Sequence, residues 1–152
     1  MGYKDKMLNE ILDIAEELFN LHGYCAIGVD TICEKADVSK TTMYKYFGSK
    51  EGLIELVLLR RDARFRDGLT KATERNGSPR DKIESILKWH INWFKSPGFT
   101  GCMFASANSE FRGTNQKIVS IIKEHKDWLV SLIKACLDEN SIKHDEYARM
   151  IM

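Results

Sequence analysis

Residues 36–53, ADVSKTTMYKYFGSKEGL, decide how the chain is read. They describe a tight turn, a very short helix and the start of another. Ser39 can accept a hydrogen bond from an exposed backbone N–H, so a helix can begin abruptly at Lys40 and run to Phe47. Eight residues are too few for a stable isolated helix. Met43 and Phe47, four apart, are its apolar anchors to a core. Lys40, Thr41, Thr42, Tyr44, Lys45 and Tyr46 then occupy most of the remaining surface. Ser49 is the next cap candidate, and a long helix starts at Lys50.

Moving outward, Met7, Leu8, Ile11, Ile14, Ala15, Leu18 and Phe19 recur at helical spacing between about Lys4 and His22, with Glu10, Asp13, Glu16 and Glu17 opposite. Gly23 ends that helix. Val29 to Ala36 reads as a two-turn helix with Val29, Ile32, Cys33 and Ala36 inward. Asp37 stands where the chain must turn, and Asp is among the few residues besides glycine that visit the left-handed region at modest cost. Helix, short turn, helix is the unit that lays its second helix in a DNA major groove. In that geometry Lys40 can donate to guanine O6 and N7, and Thr41 can bond a base or touch a thymine methyl. Tyr44, Tyr46 and Lys50 suit phosphates. A solvated short helix in an ordinary bundle would carry the same residue types.

The long helix from Lys50 is expected to reach about Glu74 and carries Arg60, Arg61, Arg64 and Arg66, which could contact DNA flanks or another subunit but are read first as a solvated basic face. Asn76, Gly77, Ser78 and Pro79 form the clearest breaker, with Pro79 suited to a first helical turn. Further helices are expected over Pro79–Lys95, within Phe99–Phe111, over Gln116 to about Leu137, and from His144 onward. The fold class is all-α, divided as 1–48, a connecting helix over 49–75, and 76–152.

Composition narrows the function. The chain has 152 residues, 43% of them hydrophobic, enough to bury a core. Lys and Arg number 23 against 22 Asp and Glu, so any affinity for DNA must come from local placement of charge rather than a global field. Cys25, Cys33, Cys102 and Cys136 show no CxxC spacing, and with four histidines they suggest no metal site, so no metal or cofactor is expected. No apolar run approaches the roughly 18 residues needed to cross a bilayer. No targeting segment is visible, and a soluble, cytoplasmic protein is expected. No Ser/His/Asp order or glycine-rich phosphate loop points to an enzyme.

Gly23-Tyr24, Val29, Ile32, Ala36-Asp37-Val38-Ser39, Thr42-Met43-Tyr44, Phe47, Lys50 and Leu53 together resemble the helix-turn-helix of the tetracycline-repressor (TetR/AcrR) family over roughly the first 60 residues. The resemblance implies a three-helix DNA-binding domain over 1–48, a helical effector-binding domain beyond the connecting helix, and a homodimer on a pseudo-palindromic operator, most often as a repressor released by a small molecule. It matches Lys40, Thr41 and Thr42 to positions facing the major groove, and Tyr44, Tyr46 and Lys50 to groups meeting bases or backbone, with Lys45 on the same helix. Two departures stand out. The family commonly has Ser or Thr where Gly28 stands and Gly where Asp37 stands. Asp30 would lie near DNA, where it would repel phosphate or accept from a cytosine amine.

A second set, Trp89, His90, Trp93, Phe94, Phe99, Met103, Phe104, Phe111 and Trp128, reads either as plain core or as a pocket for a small apolar or aromatic effector, with His90, Asn108 and Glu110 as orienting groups. Cys102, at an expected helix N-terminus, is a candidate thiol sensor or a small buried hydrophobe. A helical small-molecule binder or thiol-based redox sensor with vestigial DNA binding is the alternative. The family usually continues into two further long helices that pair across the dimer axis. Tyr147, Met150, Ile151 and Met152 are expected to belong to the first of them, leaving the dimerisation helices incomplete and the dimer weak or altered.

Overall fold

The computed structural model describes residues 2–74 and 77–137, so the helix expected from His144 and part of the breaker at Asn76 lie outside the described residues. Among the described residues seven helices follow one another: α1 (Tyr3–His22), α2 (Val29–Lys35), α3 (Lys40–Phe47), α4 (Lys50–Glu74), α5 (Pro79–Phe94), α6 (Met103–Phe111) and α7 (Gln116–Cys136). Among the described residues there is no strand. Ser78 caps α5 by accepting from the Asp81 N–H at 3.2 Å, one residue ahead of Pro79. The segment expected to be helical within Phe99–Phe111 becomes so only at Met103, because Gly98 and Gly101 both take positive φ.

Two compact units emerge, Met1–Arg61 with Thr100–Ile122, and Asp62–Phe99 with Lys123–Met152. In the first, Ile11, Ala15, Leu18 and Phe19 of α1 pack with Ile32, Met43, Phe47, Leu53, Ile54, Val57 and Leu58. Met103, Phe104, Ala107 and Phe111 of α6, and Ile118 and Ile122 of α7, belong to the same core. Each such large side chain stabilises the fold by about 1.5–3 kcal/mol on burial. Tyr24, wholly buried, stands between Phe19 and Phe111, with ring centroids 5.1 and 5.7 Å away. Its hydroxyl donates to the Met103 carbonyl at 2.9 Å, and burial pushes the phenol far above its ordinary range.

Arg60 and Arg61 differ from the solvated face expected of them. Glu16 of α1 accepts from both, at 3.1 and 2.8 Å, and Asp13 lies 2.7 Å from Arg60. Their side chains are only 22% and 18% exposed. The alternation of acidic and basic residues along each helix hides this pairing, because the partners are some 44 residues apart in sequence.

The second unit is built around Phe65, 4.5 Å from Trp89, 5.2 Å from both Trp93 and His125, and 5.7 Å from His90. Trp89 lies so close to α4 that a Cβ at Gly68 would fall 2.9 Å from its Nε1. Beneath this cluster Asp62 accepts from Arg66 Nε and bonds His125 Nδ1, both at 2.7 Å. The Arg66 guanidinium stacks 5.1 Å over the Trp128 ring. Burial pulls the His125 pKa down, and although Asp62 opposes the shift, the imidazole stays below its ordinary value.

Candidate nucleic-acid interface

The short helix α3 is fixed from three directions. Ser39 Oγ accepts from the Thr42 N–H at 3.0 Å and shares a hydrogen bond with the Thr42 hydroxyl at 2.9 Å. Met43 and Phe47 enter the core of the first unit, with Met43 wholly buried. Gly48 closes the helix with φ +75°, its N–H donating to the Tyr44 carbonyl at 2.9 Å. Packing and capping supply the stability that eight residues cannot generate alone.

The turn before α3 is equally defined. Asp37 has φ +51°, the left-handed conformation expected there. The Val38 N–H donates to the Cys33 carbonyl at 3.0 Å, carrying the chain off the end of α2. After α3, Ser49 Oγ accepts from the Gly52 N–H at 3.0 Å. A Cβ at residue 52 would sit 2.2 Å from the Phe47 carbonyl oxygen, so only glycine permits so tight an α3–α4 corner.

Lys40, Thr41, Tyr44 and Lys45 are exposed on α3. Thr42 is half-buried, with its hydroxyl engaged at the cap. Tyr46 is also half-buried and packs on the core, its ring 5.0 Å from the Lys4 ammonium and 5.4 Å from that of Lys45. Lys50 is half-buried at the start of α4. The Lys40 ammonium lies 2.5 Å from Asp30 of α2. Beside the α2–α3 turn opens a cavity of about 470 Å³, lined by Lys6, Asp37, Ser39 and Thr42 among others. Lys4, Lys6, Lys40 and Lys45 bring basic groups to this face, with Asp30, Asp37 and Glu10 among them. Lys4 escaped sequence reasoning, since the first turn of α1 carries no mark of lying beside Tyr46. Gly28 caps α2 without a side-chain bond, and nothing lies within 4 Å of where its Cβ would be.

A second feature missed in the sequence ties α6 to the loop after α1. The Glu110 carboxylate accepts from the N–H groups of Tyr24 at 3.0 Å and Cys25 at 2.6 Å. Burial alone would raise its pKa. The two N–H donors, the Cys25 thiol and the nearby Lys50 charge outweigh that and hold it below the ordinary carboxylate value. The thiol of Cys25, bonded to this carboxylate, is pushed up in turn.

The residues expected to line an effector pocket divide between the units. Trp89, His90, Trp93, Phe94, Phe99 and Trp128 fall in the second, where Trp93 and Phe94 meet Phe99 at 5.0 and 5.2 Å. Phe94 and Phe99 remain 52% and 37% exposed. His90 Nδ1 pairs with the Ile86 carbonyl at 2.8 Å. Cys102, Met103, Phe104, Asn108 and Phe111 fall in the first unit, where Met103, Phe104 and Phe111 are buried. Asn108 is half-buried, and Cys102 is the exposed N-cap residue of α6. A cavity of about 60 Å³ adjoins it, lined also by Phe19, Asn20, Thr100 and Met103. Among the described residues no group of His, Cys, Asp and Glu could hold a metal ion, and no helix is long and apolar enough to cross a membrane.

Residues 11–57 match the model of bacterial regulatory proteins of the tetR family. The transcriptional repressor NemR of Escherichia coli K12 is 24% identical over 136 residues, covering 88% of this chain and 68% of that protein. The transcriptional activator FasR of Mycolicibacterium smegmatis is 31% identical over 85 residues, 56% of this chain and 39% of its own length. The crystal structure of reduced E. coli NemR superposes with a TM-score of 0.85 at 22% identity, over 96% of this chain and 81% of that one. A TetR regulator from Chloroflexus aurantiacus gives 0.86 at 18% identity, over 99% and 81%. At such identities the superpositions speak for the fold. The family match lies on the helices that present the lysines and hydroxyls described above, and with it the chain belongs to the tetR family of bacterial regulatory proteins: it is a DNA-binding regulator of transcription.

Proposed function

We propose that this regulator is a ligand-responsive repressor, bound as a homodimer to a pseudo-palindromic operator in the cytoplasm and released when a small apolar or aromatic effector binds. Residues 1–48 serve as the DNA-binding domain, 49–75 as the connecting helix and 76–152 as the effector-binding domain. Lys40, Thr41 and Thr42 face base edges, and Tyr44, Lys45, Tyr46 and Lys50 hold phosphates. The observation that carries this reading is α3 itself, anchored by Met43 and Phe47 while Lys40, Thr41, Tyr44 and Lys45 stand in solvent.

Two such helices must enter successive major grooves about 34–36 Å apart for a dimer to hold symmetric half-sites. An effector that prefers a conformation with another spacing draws the population off DNA by its differential affinity for the two states. Helix α4, whose residues are shared by both units, is the lever in this scheme. The exposed Phe94 and Phe99, with Trp93, support an aromatic effector site in the second unit. Glu110 and Tyr24 support a route by which movement of α6 reaches the reading head. No catalytic step belongs to this scheme.

Selection of bound fragments from random DNA tests it. A pseudo-palindrome with half-sites one helical turn apart is expected. Lys50→Ala should weaken binding to every sequence, whereas Lys40→Ala should also relax base preference. Cys102, exposed beside its small cavity, favours a thiol-based alternative with vestigial DNA binding. Retention on DNA that neither substitution alters would leave that alternative standing.

A further inference from the structure

In the Asp30–Lys40 pair an acidic side chain stands against a basic one across two helices on the exposed reading face. Asp30 is the second residue of α2 and Lys40 the first of α3, and their charged groups meet at 2.5 Å. Both side chains stay largely in solvent, 59% exposed for Lys40 and 74% for Asp30. An ammonium has three N–H donors and a carboxylate about four acceptor sites, so one mutual contact leaves both able to bond outward. A pair this exposed adds little to stability.

An uncompensated carboxylate on a surface that meets phosphates weakens binding to every DNA sequence alike. A bound base that donates to it reverses that effect for one sequence only. In the major groove, guanine offers O6 and N7 as acceptors, and its partner cytosine offers the N4 amine as a donor next to O6. A lysine donor held at hydrogen-bond distance from an aspartate acceptor complements that edge. Adenine presents one acceptor, N7, beside its own N6 donor, so the ammonium meets a single acceptor and a repelling group.

We propose that Asp30 and Lys40 act together to select one G·C base pair in each half-site, Lys40 donating to guanine and Asp30 accepting from cytosine N4. The proposal rests on the reading of α3 as the DNA-facing helix. Asp30 is thereby a specificity residue: it lowers affinity for DNA in general and restores it where cytosine donates.

The test uses the full chain and a fluorescently labelled operator obtained by selection, with each base pair replaced in turn and binding followed by anisotropy. For the wild type, one G·C position per half-site should lose on the order of tenfold in affinity when changed to A·T. Asp30→Ala should abolish most of that discrimination while binding scrambled DNA more tightly. Lys40→Ala should lose discrimination at the same position, and the double variant should lose no more than either single one. Asp30→Asn, nearly isosteric, should move preference there toward adenine. Unchanged discrimination at every position in both Asp30 variants would overturn the proposal, as would a sensitive position that is A·T, or Asp30 variants that lose thermal stability without altering base preference. A wild type that selects no motif at all would overturn the DNA-facing reading itself, and this inference with it.

Discussion

The two units build their cores from different sets of helices. The first draws its core from α1, α2, α3, α4, α6 and α7, so that residues as distant as Phe19 and Phe111 close on Tyr24. Among the described residues the second buries Phe65, Leu69, Ile86, Ile133 and Cys136 and leaves Leu87, Ile91 and Phe94 of α5 exposed by 44%, 46% and 52%, much as the first leaves Leu21, Leu56 and Leu59 exposed by 51%, 41% and 45%. A reading head must hold side chains at fixed positions against a rigid duplex, which a closed core provides. Exposed aromatic and aliphatic surface is what a ligand or partner can use.

All three tryptophans, Trp89, Trp93 and Trp128, lie in the second unit. Tryptophan fluorescence therefore reports on that unit, and DNA binding on the other. Met43→Ala should show the largest effect, about 2–5 kcal/mol of destabilisation with loss of DNA binding. Native tryptophan emission should remain where it was; a shifted emission would break the comparison. Gly68→Ala is its counterpart in the second unit. The new methyl group must displace Trp89 and should cost about 1–3 kcal/mol, with a changed emission spectrum.

Acidification should separate the units as well. The His125 pKa is depressed in the folded protein, so the neutral ring favours folding above its unfolded value near 6.5. That stabilisation is lost as pH falls from there through the folded value. Thermal unfolding followed by tryptophan should weaken below about pH 6.5, by no more than about 1.4 kcal/mol per pH unit from this one group. His125→Gln should remove that slope. The contribution of Glu110 to the first unit is lost in a lower window: its folded pKa is lowered, so the contribution is full above the ordinary carboxylate value and is lost as pH falls from there through the folded value. The smallest effect belongs to Gly28→Thr, which fits the open space at the α2 N-cap. It should stabilise α2 by a few tenths of a kcal/mol and tighten binding to all DNA sequences similarly.

The sequence displayed the helices and their ends because those signals are local. Ser39, Gly23, Ser49 and Pro79 act on backbone groups within four residues, and the apolar spacing of α1 repeats every turn. What stayed hidden is pairing across distance. Glu110 reaches backbone 86 residues away, and nothing about its neighbours in α6 marks it as a cap for the α1–α2 loop. Read as a ligand-orienting group, it instead fixes Tyr24 and Cys25. Phe65 was hidden for the same reason: its place in α4 shows one aromatic among arginines, and only the packing of α5 and α7 makes it a centre. Thr42 and Tyr46 stood in the sequence as freely presented groups, whereas the cap and the core each take part of them.

The central claim, that the N-terminal end of α3 reads base edges in the major groove, is most directly tested by dimethyl sulfate protection of guanine N7 on the selected operator. Protected guanines are expected in two clusters about 10 base pairs apart, with one guanine per cluster becoming reactive again in Lys40→Ala at saturating protein. An absence of N7 protection in the bound complex, or a pattern identical in wild type and Lys40→Ala, would contradict the account.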